Sequence, residues 1–207
     1  MAPDIERLRD LVQRHCIQRG DFTLASGAKS NYYYNGKRVS LRPSSAKLIG
    51  EALVDVVLAS GAEAVGGPAL GAVPIACAVG AAGLARGRDL PVFVVRMEQK
   101  QHGARDLVAE PYSDDGRDVV AAGRPVAIVE DAITTGGSVR KAIDAVEALG
   151  GRVALVAVLV ERHEGGGDAL RDAGYDVVSV FRTDAGGELS VSPAFAERLA
   201  AATQAGG

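Results

Sequence analysis

The sequence predicts an α/β fold: a mostly parallel sheet covered by helices on both faces. Three observations carry this. Apolar runs near residues 64–66, 91–95, 126–129, 153–160 and 177–181 alternate with segments of helical period. Those runs, VAIV and VALVAVLV among them, lack polar alternation, as strands buried on both faces require. The composition, 47% hydrophobic and 24% charged over 207 residues, suits one domain with a sizeable core and argues against disorder.

Each element has its own signal. Residues 4–19 place Ile5, Leu8, Leu11, Val12 and Cys16 at helical spacing, with Asp4 as cap. Residues 22–42 mix aromatic and polar side chains and read as short strands with turns. Ser44 or Ser45 opens a helix with an apolar face of Leu48, Ile49, Leu53, Val56 and Val57, and Gly61 ends it. A strand at 64–66 leads into the turn GGPALGA and a helix to about Arg86. After the strand at 91–95, residues 97–118 are polar and aperiodic. The strand at 126–129 is followed by a helix over about 138–149. The strand at 153–160 is followed by a short helix at 168–173, a strand at 177–181 and a last helix over about 193–203. No internal repeat or dividing linker interrupts the chain, which reads as one domain over 1–207.

Several function classes fall away. A net charge of −3 gives no basic field for nucleic acid. Cys16 and Cys77 form no pattern. Cys77 lies in an apolar run and is expected to pack as a small hydrophobe. With a charged, helix-like N-terminus in place of a signal peptide, this predicts a reducing cytoplasm. The apolar run at 69–84, broken by Gly71, Pro74, Gly80 and Gly83, reads as a buried helix too short for a membrane span.

The chemistry concentrates in VAIVEDAITTGGS, residues 126–138. In a parallel sheet, ligands bind beyond the carboxyl ends of the strands. Gly136 and Gly137 let the loop turn backbone N–H groups inward, hydroxyls add donors, and the next helix adds its positive end. That is a phosphate cradle, though not a Walker loop, because no lysine follows the glycines. Two carboxylates beside a phosphate need hydroxyl donors or a cation between them. The stretch therefore suggests a ribose 5-phosphate, with its hydroxyls on Glu130 and Asp131 and its phosphate on Thr134–Ser138.

This stretch resembles the phosphoribosyl diphosphate (PRPP) signature of type I phosphoribosyltransferases. The resemblance implies a Rossmann-type parallel sheet flanked by helices, with a small N-terminal hood over about 1–42, a core over about 43–185 and a flexible catalytic loop over about 97–118. FTLASGAKSNYYYNGKRVSL, residues 22–41, resembles the base-covering segment of the orotate phosphoribosyltransferases. RMEQKQHGA, residues 96–104, resembles the mouth of their catalytic loop, and GGPALGAVPIA their second diphosphate loop. In VLVERHEGG, Arg162 matches the arginine that pairs with the orotate carboxylate, a task suited to a forked guanidinium.

By that resemblance, Arg96, Lys100, His102, Glu130, Asp131, Ala132, Ile133, Thr134, Thr135, Gly136, Gly137 and Ser138 bind PRPP. Lys100, His102 and Asp131 are catalytic, and Tyr33, Tyr34, Thr134 and Arg162 bind orotate. Mg²⁺ arrives with the substrate rather than on protein ligands. The family's product is orotidine 5′-monophosphate, for de novo pyrimidine (UMP) biosynthesis, made by a homodimer whose catalytic loop reaches the neighbouring site. Neither nucleic acid nor membrane is expected as a partner. Lysines that some members carry are replaced here by Ala25, Gly71 and Met97, leaving Lys37 or Arg38 to compensate. Transfer to a purine or uracil, or a PRPP-sensing regulator without catalysis, are the alternatives.

Overall fold

The computed structural model describes residues 3–23, 29–98, 107–109, 116, 118–121 and 123–205. Ala25, Lys100 and His102 lie outside the described residues, as does most of the expected catalytic loop.

The chain begins with helix α1 (Ile5–Cys16), whose Asp4 carboxylate accepts the Arg7 N–H at 3.0 Å. It ends sooner than its apolar period predicts, because Ile17 enters a strand. That strand, β1 (Ile17–Thr23), pairs antiparallel with β2 (Lys29–Tyr34), and the Cys16 carbonyl accepts the Asn35 N–H at 2.9 Å. A short helix α2 (Lys37–Ser40), which the aromatic-polar pattern did not predict, then leads to α3 (Pro43–Ala59) with proline at its first position.

The remaining elements are β3 (Ala64–Pro68), α4 (Ala72–Leu84), β4 (Val92–Val95), β5 (Val108–Ala109), β6 (Pro125–Ile133), α5 (Gly137–Ala148), β7 (Arg152–Glu161), α6 (Gly166–Asp172), β8 (Val177–Thr183), β9 (Leu189–Val191) and α7 (Pro193–Ala205). Seven strands form one sheet in the order β5-β4-β3-β6-β7-β8-β9. The central five run parallel and the two edge strands antiparallel. The edge strands escaped the sequence because β5 has two residues and β9 three, too few to show a period.

The apolar runs are buried as predicted, except that Val92, Val94, Val153 and Ala154 are half-buried. Alternate residues of β6 feed two cores: Ala127 and Val129 join the cluster holding α1, α3, α4 and α7 residues, while Val126 and Ile128 join the cluster of α5. Cys77 departs from expectation, since it is exposed. Ala72, Ile75, Ala76 and Val79 make the buried face of α4, and Cys77 points away into a groove shared with α3. Among the described residues no helix is long and apolar enough to cross a membrane.

The topology sets the site. From β3 the chain crosses through α4 to β4 on one side, and from β6 through α5 to β7 on the other. The order reverses between β3 and β6, so their carboxyl ends open a crevice, the usual ligand position in such sheets. The ends are GGPALGA and EDAITTGGS.

Candidate active site

Glu130 and Asp131 sit near the carboxyl end of β6. The pleat starts them toward opposite faces, but both carboxylates reach the crevice. Glu130 is buried and accepts the Asp131 N–H at 2.9 Å and the Ser138 hydroxyl at 3.3 Å. Burial first, and the Asp131 carboxylate second, push its carboxyl up to about 8. Among the described residues no arginine or lysine hydrogen-bonds to Glu130, so the site favours an incoming cation or hydroxyl donor.

Two glycines let the backbone close on these acids. A Cβ at Gly71 would lie 2.7 Å from both Asp131 Oδ1 and Glu130 Oε1. A Cβ at Gly36 would lie 2.7 Å from Asp131 Oδ2 and 2.8 Å from the Tyr34 hydroxyl. Asp131 is thus held between the start of α4 and the start of α2. Gly71 also caps α4 without a side chain, so the positive end of a 13-residue helix faces the acid pair. The Ala69–Leu70 peptide just before it is cis.

The candidate phosphate loop follows. Gly136 has φ of +81°, a left-handed conformation that glycine adopts without strain, and it caps α5 with no side chain. The first N–H groups of α5 therefore point into the crevice without a side-chain partner, as an anion requires. Thr135 and Gly137 are exposed, and Ala132, Thr134 and Ser138 half-buried. Ile133 puts its side chain in the core and presents only backbone; its carbonyl accepts the Arg162 N–H at 2.9 Å. The start of α6 backs the loop: Gly166 donates to the Thr134 carbonyl at 3.0 Å, and a Cβ there would meet that oxygen at 2.4 Å.

The base-binding candidates divide. Strand alternation puts Tyr32 and Tyr34 inward and Tyr33 outward. Tyr33 is 44% exposed and lies 5.7 Å from the Phe22 ring, while Tyr34 is buried and donates to the Asp131 carbonyl at 3.1 Å. Burial, then the nearby Cys16 and the two acids, pushes the Tyr34 phenol well up. Tyr32, missed by the sequence reading, is fully buried and supports Arg162. Its hydroxyl accepts Arg162 Nε at 3.1 Å, and the guanidinium stacks 4.5 Å over its ring. Arg162 is itself buried and pairs with Glu164 at 2.7 Å. Its Nη2 and Glu164 Oε2 are both buried without an aligned hydrogen bond. Arg96, at the end of β4, donates its N–H to the Leu107 carbonyl at 2.7 Å.

Beside Arg162, Glu161 forms a separate clasp. It receives two hydrogen bonds from Arg171 (2.9 and 2.6 Å), one from Arg182 (2.8 Å) and one from the Ser179 hydroxyl (2.8 Å). Burial alone would raise its carboxyl, but these donors outweigh it and hold it at about 2.

Known proteins resemble this chain in sequence and fold. The phosphoribosyl transferase domain model matches residues 42–183. Orotate phosphoribosyltransferase of Rhodopirellula baltica is 42% identical over 180 residues, covering 84% of this chain and 89% of its own. That of Bradyrhizobium sp. is 36% identical, covering 85% and 93%. Among solved structures, Mycobacterium tuberculosis orotate phosphoribosyltransferase with Fe(III) dicitrate superposes with a TM-score of 0.74 at 34% identity, covering 89% of this chain and 99% of that one. The same enzyme in complex with PRPP gives 0.69 at 33% identity, covering 87% and 96%. The chain therefore belongs to the phosphoribosyltransferase family, among its orotate phosphoribosyltransferases.

Proposed function

We propose that the chain transfers the ribose 5-phosphate of PRPP to orotate, giving orotidine 5′-monophosphate and diphosphate for pyrimidine nucleotide synthesis. One observation carries this reading most: a buried acid pair and an uncapped helix N-terminus meet at the β3/β6 crevice, complementary to ribose hydroxyls and a phosphate. Glu130 and Asp131 hold the hydroxyls. Backbone N–H groups of Thr135–Ser138, with the Ser and Thr hydroxyls, hold the 5′-phosphate. The Gly71 turn lies where diphosphate leaves the ribose. Lys100 and His102, with Arg96, stabilise that leaving charge as C1 becomes cationic, a role that rests on the motif they match.

Orotate lies toward Tyr33, Thr134 and Arg162. Its carboxylate replaces Glu164 on the guanidinium, and a forked donor discriminates against neutral bases. Tyr34 acts from beneath, fixing the Asp131 backbone. Mg²⁺ arriving with PRPP would neutralise diphosphate charge. The hard oxygens of Glu130 and Asp131 suit that cation. The protein acts in the cytoplasm as a homodimer with a shared catalytic loop. An apolar groove of about 550 Å³ between α3 and α4, lined by Leu41, Pro43, Ala78, Ala81 and Ala82, supports a second copy as its cover; light scattering checks this.

The test is PRPP-dependent consumption of orotate, uracil, xanthine and hypoxanthine side by side. Orotate alone should disappear, with one diphosphate formed per base. Turnover of a neutral base in preference to orotate overturns the reading.

A further inference from the structure

The family lysine absent at Gly71 raises a question that the structure answers. A lysine there would have to push both carboxylates aside, since its Cβ alone would stand 2.7 Å from each. The cation must come from elsewhere, and two candidates lie next to each other on α2. Arg38 is engaged: the Gln18 amide, oriented with its oxygen toward the guanidinium, accepts from Arg38 at 2.7 Å. Lys37 instead turns to the acids, with Nζ 4.0 Å from Asp131 Oδ2.

The backbone is built to place it there. Gly36 packs directly on Asp131 Oδ2 and on the Tyr34 hydroxyl, which in turn bonds the Asp131 carbonyl. This fixes the first turn of α2 over the crevice. The Lys37 side chain remains 45% exposed, so a ligand can reach its ammonium. At 4.0 Å the pair with Asp131 is loose, an ammonium beside a carboxylate rather than a locked bridge. A lysine is a flexible point charge, suited to move from one anion to another.

We propose that Lys37 is a substrate-binding residue that supplies the diphosphate cation missing at Gly71. In the free protein it stands on Asp131. When PRPP arrives, Asp131 takes the ribose hydroxyls and the ammonium turns to the adjacent diphosphate oxygens. This inference rests on the proposed transferase reading.

Lys37→Ala, Lys37→Arg and Arg38→Ala test it, with inorganic diphosphate and PRPP, each with Mg²⁺, as calorimetric probes beside steady-state kinetics. Loss of one charge-assisted contact predicts that Lys37→Ala weakens diphosphate binding and raises the PRPP KM by about tenfold. The orotate KM should stay within about twofold, Lys37→Arg should recover most of the loss, and Arg38→Ala should match wild type. Unchanged diphosphate affinity in Lys37→Ala, or a larger loss in Arg38→Ala, overturns the inference alone if wild type consumes orotate. A wild-type protein that binds no PRPP overturns the inference and the transferase reading together.

Discussion

Two glutamates near the carboxyl ends of neighbouring parallel strands are buried to the same degree and behave in opposite ways. Glu130 on β6 is 5% exposed and Glu161 on β7 is 4% exposed. Burial raises both. Glu161 then receives four hydrogen bonds from two arginines and a serine, and falls to about 2. Glu130 receives one serine hydroxyl and one N–H, sits beside a second carboxylate, and rises to about 8. The protein satisfies one acid and leaves the other short of positive charge. The satisfied acid ties β7, α6 and β8 together behind the phosphate loop. The unsatisfied one faces the crevice, where on the proposed reading a substrate would bring the missing hydroxyls and cation.

Substitutions can break this contrast. The largest effect is expected at Asp131. Asp131→Asn keeps the shape and removes the charge, so kcat/KM should fall by about 10²-fold or more while the melting temperature holds. A fully active, folded variant removes Asp131 from the ribose site. Glu161→Gln should do the reverse. Removing the buried carboxylate charge on which the half-buried Arg171 and the exposed Arg182 converge costs about 1–3 kcal/mol, a melting shift of roughly 2–12 °C for a chain of this size, with turnover per folded molecule retained.

The pH dependence of stability gives a finer reading. The Glu161 carboxyl lies below its ordinary value of 4.5, so its contribution is full above that pH and is lost as pH falls toward about 2. Glu130 runs the other way. The folded state keeps a proton that the unfolded chain releases, so stability declines as pH rises from about 4.5 through about 8. Denaturant titrations of Glu161→Gln and Glu130→Gln should flatten the slope below pH 4.5 and the decline from about 4.5 to about 8 respectively. The smallest effect is expected at Glu164: freeing Arg162 by Glu164→Gln should lower the orotate KM by about two- to threefold, seen in initial rates. A raised KM would show that Glu164 helps to hold the base.

The loop proposed to hold phosphate was legible in the sequence because it is local. Strand, acids, loop and helix start occupy thirteen consecutive residues, and each has a residue type that its chemistry demands. The parallel sheet was legible for a similar reason, since five buried strands show as unbroken apolar runs. The base half is assembled from β2, β6 and β7, and one-dimensional spacing cannot show which tyrosine faces which way. Applying the period of two to KSNYYY would have paired Tyr32 with Tyr34 inward, but not found Arg162 stacked on Tyr32. Likewise, Gly71 reads in the sequence as a lost lysine. Only the approach of two carboxylates shows why glycine stands there, and only the Gln18–Arg38 pair separates Lys37 from its neighbour.

The most direct test compares Mg²⁺–PRPP binding by calorimetry in the folded Asp131→Asn and Glu161→Gln proteins. The difference between the two acids predicts that Asp131→Asn binds at least about tenfold more weakly than wild type, while Glu161→Gln binds within about twofold of it. Equal affinity in wild type and Asp131→Asn would contradict the assignment of the unsatisfied acid pair to the ribose of PRPP.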